Sequence, residues 1–269
     1  MALPFWERHH GGGRETSGVA WGRREKHGHI AAMDLEAIRK RAHADLLIPT
    51  PRGDSDVFLW EHSALVAQTA QHIARLPIIR SQQPNEAVIT AVGLYHDAGW
   101  VTRFREGAID RMEILQGSLS EADHEQGALL MKQSLADLLS KEALDLAVRA
   151  LRGTRNRSTE LIEAQVVAEA NNLQEFGVLS LWPAIRRGAV EGKGVQAVLD
   201  TWRRKKEYQF WTARLNDSFR FEPVRDLARQ RLEKFERLLG ELEEQLSAAD
   251  VAALLTTRLN DFSPAPSAR

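Results

Sequence analysis

From Asp34 onward, apolar residues recur three and four positions apart, the spacing that lines one face of an α-helix, and period-two alternation is nearly absent. The pattern predicts helices over 34–46, 58–76, 85–98, 121–139, 142–151 and 161–176, then two long amphipathic segments over 195–214 and 222–246. Punctuation agrees with these bounds. Pro77 stops the second helix, Pro84 precedes the third, and Gly99 and Gly177 close the third and the sixth. Residues 1–32, with "RHHGGGRETSG" and "GRREKHGH", have no periodicity and predict a disordered leader. The expectation is one all-α domain over 33–246 ending in a helical hairpin, followed over 247–269 by a short helix and a frayed tail. Tyr208, Phe210, Trp211, Phe219, Phe221 and Phe235 are expected to form the packing surface of that hairpin.

Composition narrows the chemistry. Apolar residues make up 43% of the chain, enough for a sizeable core. Cysteine is absent, so disulfides and thiolate metal sites are excluded, and any metal must use His, Asp or Glu. A net charge of −1 gives no global electrostatic case for nucleic acid or an anionic membrane surface. No apolar run approaches the length of a membrane span. The expectation is a cytoplasmic protein whose partners are small molecules rather than nucleic acid or membrane.

Against that background, several polar residues are out of place. His62 lies in the stripe of Phe58, Leu65, Val66, Thr69 and Ile73, and His96 closes the stripe of Ile89, Val92 and Gly93. His124 heads the stripe of Ala128, Met131 and Leu135, while Glu169 sits inside that of Val166, Ala170 and Leu173. Asp97 follows His96 directly. A single histidine on an apolar face is more often a core residue satisfied by a backbone carbonyl. Five such groups are harder to explain that way, because an ionised carboxylate in an apolar interior is costly unless paired or metal-bound. A divalent cation supplies the missing charge.

The order and setting of these residues resemble the HD superfamily of metal-dependent phosphohydrolases. "EHSALVAQTAQHIA" resembles the segment carrying the first ligand, at His62, and "AVGLYHDAGW" resembles the doublet segment, with His96 and Asp97. "DHEQGALLM" is similar to the intermediate segment, with His124 and Gly127. "VVAEANNLQEFG" resembles the last segment, an Ala-Asp-Ala-Asp-x-Leu type of run, and places Glu169 where the family has Asp. The resemblance covers roughly residues 55–180 and implies an HD-type helical bundle. It also implies one divalent metal (Mn, Fe, Co, Ni or Zn) held by His62, His96, Asp97 and Glu169. No further histidine precedes the last ligand helix, which leaves a second metal short of ligands; the alternative is a weak second metal on Asp97 and His124.

The implied activity is hydrolysis of a small phosphate ester or nucleotide by a metal-activated water. Asp97 is the candidate to orient or deprotonate the nucleophile, and His124 to protonate the leaving oxygen or hold a phosphate. Arg103, Arg152 and Arg155, with Arg105 beside them, are candidates to clamp the substrate anion. Two other readings stand beside this one. The exchange of Asp for Glu169 favours a silent HD protein that binds without turnover. An HD-type non-haem iron oxygenase is disfavoured by the missing histidine.

Overall fold

The computed structural model describes residues 27–261. Most of the expected leader, residues 1–26, and the tail 262–269 lie outside the described residues. Helix α1 (His27–Leu46) begins earlier than the start expected at Asp34. A two-stranded antiparallel ribbon follows, β1 (Ile48–Pro49) and β2 (Ser55–Asp56), with Ile48 opposite Asp56. Then come α2 (Phe58–Ala74), α3 (Pro77–Arg80), α4 (Glu86–Tyr95), α5 (Gly99–Arg105), α6 (Glu121–Ser134), α7 (Lys141–Gly153) and α8 (Ile162–Gln174). The C-terminal part holds α9 (Leu181–Val190), α10 (Gln196–Glu207), α11 (Phe210–Ser218), α12 (Glu222–Leu246) and α13 (Ala249–Asp261). The fold is all-α, and among the described residues no helix is long and apolar enough to cross a membrane.

Local chemistry accounts for the helix ends. The Asn85 side chain accepts the backbone N–H groups of Ala87 and Val88, and Ser120 and Asp123 form a reciprocal capping box at the start of α6. Ser140 caps α7 in the same way through Ala143. Pro77 ends α2 by opening α3, where its missing N–H costs nothing.

The centre of the bundle is α4, in which Val88 through Tyr95 are all buried. A helix apolar on every side belongs inside a core, and α1, α2, α7 and α8 surround this one. Its approach to α2 is set by Gly93. A Cβ there would lie 2.7 Å from Ala67 Cα, so the two backbones touch where any side chain would separate them. His62 precedes that contact on α2 and His96 follows it on the other strand of chain, which brings both histidines to one end of the helix pair.

Beyond α8 the structure departs from the expected pair of long helices. The segment over 195–214 breaks at Gln209, whose φ of 52° is left-handed and separates α10 from α11. Helix α9 was not among the expected elements. Pro183 falls in its first turn, where no intrahelical N–H bond is lost, and no residue of α9 is buried. Trp211, Phe219 and Phe235 are buried, and Phe210 and Phe221 pack against the core. Tyr208 does not join them; it is 82% exposed at the break.

Candidate metal centre

His62 stands in the second turn of α2, and His96 and Asp97 occupy the corner between α4 and α5. His62 Nε2 lies 3.2 Å from His96 Nε2 and 3.4 Å from Asp97 Oδ2, and His96 Nε2 lies 3.3 Å from the same oxygen. Three donor atoms thus form a nearly equilateral triangle. Ligands bonded to one divalent ion at about 2.0–2.1 Å stand roughly 3.0–3.4 Å from each other. Among the described residues these three make up the cluster of metal-ligating groups. Its two imidazole nitrogens and one carboxylate oxygen suit a first-row divalent metal.

The surroundings orient the donors. His96 Nδ1 is 2.9 Å from the Gly93 carbonyl and donates to it, which leaves Nε2 as the atom facing His62 and Asp97. Burial disfavours a charged His96, but Asp97, the Gly93 carbonyl and Asn171 outweigh it and hold its pKa up. Asp97 is half-buried, which pushes its pKa up, yet His96 and His62 keep its carboxyl far below the usual range. The carboxylate is therefore ionised and already committed to a cationic environment.

Two glycines bring α6 to the same corner. A Cβ at Gly99 would meet the Asp123 carbonyl at 2.4 Å, and one at Gly127 would meet the Gly99 nitrogen at 2.9 Å. Backbone contact at both positions sets His124 beside the doublet. Burial and the charge of Arg155 lower the His124 pKa, while Asp97 pulls the other way. His62, Asp97, His124, Arg155 and Asn171 all line one cavity of about 1340 Å3.

The other expected site residues lie elsewhere. Arg103 is 4.0 Å from Asp123 and stacks over the Trp100 ring at 5.4 Å; it does not line the cavity. Arg105 donates to the Asp45 carbonyl at 3.2 Å. Arg152 is taken by Glu125 in an exposed ion pair and also faces away from the cavity. Of the three arginines expected to bind substrate, Arg155 is the one in place.

Glu169 does not join the cluster. It is completely buried; its Oε1 accepts the backbone N–H of Arg220 at 2.7 Å, and its buried Oε2 has no hydrogen-bond partner among the described residues. The Arg220 guanidinium is 4.0 Å away. Burial still raises the Glu169 pKa. The geometric reason is simple. Two residues turn a helix by roughly 200°, so Glu169 and Asn171 face opposite sides of α8. Asn171 is the one beside His96. The Ala-Asp-Ala-Asp-x-Leu type of run has two acid positions, and Ala168-Glu169-Ala170-Asn171-Asn172-Leu173 fills them with Glu169 and Asn171. The apolar stripe did not discriminate between them because α8 is buried on almost all sides, from Ala164 to Ala170.

No family model matches the chain, and no curated protein matches it. Solved structures do. Bacillus subtilis YpgQ in complex with ADP is 18% identical with a TM-score of 0.51, over 80% of this chain and 96% of that one. The Lin1889 protein from Listeria innocua is 12% identical with a TM-score of 0.51, over 81% and 97% of the two chains. A predicted HD superfamily hydrolase from an uncultured Thermotogales bacterium is 15% identical, with a TM-score of 0.44 over 81% of this chain and 91% of that one. At these identities the likeness is one of fold alone: the chain shares the all-α fold of YpgQ and Lin1889.

Proposed function

We propose that the protein is a metal-dependent phosphohydrolase acting on a small phosphate ester or nucleotide. The observation that carries this reading is the triangle of His62 Nε2, His96 Nε2 and Asp97 Oδ2, of which His62 and Asp97 line a cavity that also presents Arg155 and His124. His62, His96 and Asp97 would hold one divalent metal, with the Asn171 side chain beside His96 as a candidate further donor; Glu169 bonds the Arg220 backbone instead. Bound there, the metal supplies Lewis acidity toward a phosphoryl oxygen and lowers the pKa of water.

The protein's own groups do the rest. Asp97 keeps its second carboxylate oxygen, Oδ1, for orienting a water or taking its proton. His124 is held toward its neutral form by burial and Arg155, so at pH 7 it offers one ring N–H to a phosphate oxygen. Arg155 supplies positive charge to the substrate anion. The ADP bound to YpgQ fits a phosphorylated ligand for a cavity of this kind.

A silent binding protein is the second reading. It is favoured by Asn171, which puts a neutral amide where a carboxylate would complete the charge of the ligand set. The two readings separate in one experiment. The full chain, loaded in turn with Mn, Fe, Co, Ni and Zn, is assayed for phosphate release from a panel of phosphomonoesters and nucleotides. Metal-dependent turnover that is lost in both His96→Ala and Asp97→Ala, with the helical spectrum retained, supports the hydrolase. Metal binding without turnover on any substrate supports the silent protein.

A further inference from the structure

The cavity extends past the histidine cluster to a wall built by α9, α10 and α11, and that wall contains cations whose neighbouring acids are already paired; Glu191, which acts on Arg187, is bonded by Lys193. Lys205 Nζ lies 4.7 Å from the centre of the Phe210 ring and 5.1 Å from that of Trp211. It is half-buried on these rings and makes no hydrogen bond or ion pair with another described residue. Arg187 also lines the cavity; its Nε donates to Gln116 at 2.7 Å, a neutral partner that fixes the guanidinium without cancelling its charge. The one acid acting on Lys205 is Glu175. Glu175 is already bonded through both carboxylate oxygens by Arg214, at 3.1 and 2.5 Å.

A second observation points to a ligand at the same place. Trp211 lines the cavity and is 8% exposed, and its buried indole N–H has no acceptor. Buried donors are normally satisfied. A half-buried ammonium on two aromatic rings, a guanidinium fixed by Gln116 and an indole N–H without an acceptor are three donors, the complement of an anion. Burial is the main cause that lowers the Lys205 pKa; Glu175 opposes it, and Arg187 and Arg214 add to it.

This wall is separate from the metal cluster. None of His62, His96, Asp97 or His124 is among the charges acting on Lys205. The cavity, at about 1340 Å3, also exceeds the roughly 300–1,000 Å3 of ordinary small-ligand pockets. We infer that Lys205, Arg187 and Trp211 form a second anion subsite. The substrate of the proposed hydrolase then carries two separated anionic groups, one at the histidine cluster and one at this wall. The inference rests on the proposed hydrolase for the word substrate, but the subsite itself is a matter of binding.

The test separates the two. Adenosine 3′,5′-bisphosphate and AMP are titrated calorimetrically into the Mn-loaded full chain, so that the histidine cluster can hold one phosphate, and phosphate release is followed in parallel to subtract any turnover. The bisphosphate is expected to bind at least tenfold more tightly than AMP. Lys205→Met and Arg187→Gln should each bring the bisphosphate close to the AMP affinity, whereas Arg152→Ala, which removes a cation outside the cavity, should preserve the preference. Equal affinities in the parent protein, no binding of either probe, or a preference that survives both substitutions overturns the subsite. A preference that behaves as expected in a protein that hydrolyses nothing leaves the subsite standing and removes the hydrolase.

Discussion

Glu169 Oε1 accepts the backbone N–H of Arg220 at 2.7 Å and thereby ties α8 to the bend between α11 and α12. A carboxylate that reads as a ligand in the sequence is instead the anchor for the C-terminal helices. Replacing it with leucine leaves the Arg220 N–H without its acceptor, at about 1–3 kcal/mol for such a loss. Glu169→Leu should therefore lower the denaturant midpoint, and Glu169→Gln, which keeps an acceptor oxygen, should do so less. Both should show the parent's full rise in Tm on adding Mn or Co. Loss of that rise in Glu169→Gln would return Glu169 to the ligand set.

The donor triangle predicts about one divalent metal per chain. Metal at roughly 100 times its Kd should stabilise the fold by about 2.7 kcal/mol, because the unfolded chain lacks the convergent site. His62→Ala should abolish most of this increment, since it removes one of three donors. Elemental analysis of the dialysed protein gives the stoichiometry, and two tightly held ions per chain would contradict the assignment.

Gly93 sets the distance between the two histidine-bearing segments. In Gly93→Ala the new methyl would fall 2.7 Å from Ala67 Cα and 3.0 Å from Ala67 Cβ, so α2 and α4 must separate. Overpacking of this kind costs about 1–3 kcal/mol. The expected result is lower stability together with weakened metal binding, measured as a smaller metal-induced rise in Tm. A variant that loses stability but keeps the parent's metal affinity would show that the site tolerates a wider helix spacing.

Asp56 predicts part of the acid sensitivity. Burial raises its carboxyl pKa, but Arg186, the Phe58 N–H and Arg111 together pull it below the usual value. The Arg186 contact is 2.6 Å, and the same guanidinium stacks on the Phe58 ring at 4.5 Å. A depressed carboxylate contributes stability that is fully present above its unfolded pKa of about 3.9 and is lost as pH falls through the lower folded value. Asp56→Asn should be less stable than the parent at pH 7. The difference in Tm should shrink steadily below about pH 4, and a difference that stays constant down to pH 2 would exclude this origin.

Among the arginines, position in the cavity predicts function. Arg155→Ala should raise KM for the substrate several-fold with a smaller change in kcat. Arg152→Ala and Arg103→Ala, which remove groups paired with Glu125 and Asp123, should leave both near the parent values. Steady-state kinetics on a substrate found in the phosphatase panel makes the comparison.

The helices and the metal-type cluster were legible in the chain because both rest on short-range rules. Stripe periodicity, Pro77, Pro84 and Gly177 act within a few residues, and they located most of α2, α4, α6, α7 and α8 and the whole of α12, whereas the short α3 and α5 were not among the expected helices. His62, His96 and Asp97 were legible as polar groups on apolar faces, and the structure brings them together. Periodicity failed where both faces of a helix are covered. On α8 it does not say whether Glu169 or Asn171 faces the histidines, because that depends on which neighbour lies on each side. It also missed α9, which buries no residue and so leaves no apolar signature of a core contact. The choice of Arg155 over Arg103 and Arg152, and the meeting of Lys205 with Arg187 and Trp211, are products of chain segments far apart in sequence. Only the packing of α9–α11 against the bundle decides such contacts, since nothing local constrains which side chains a distant helix will face.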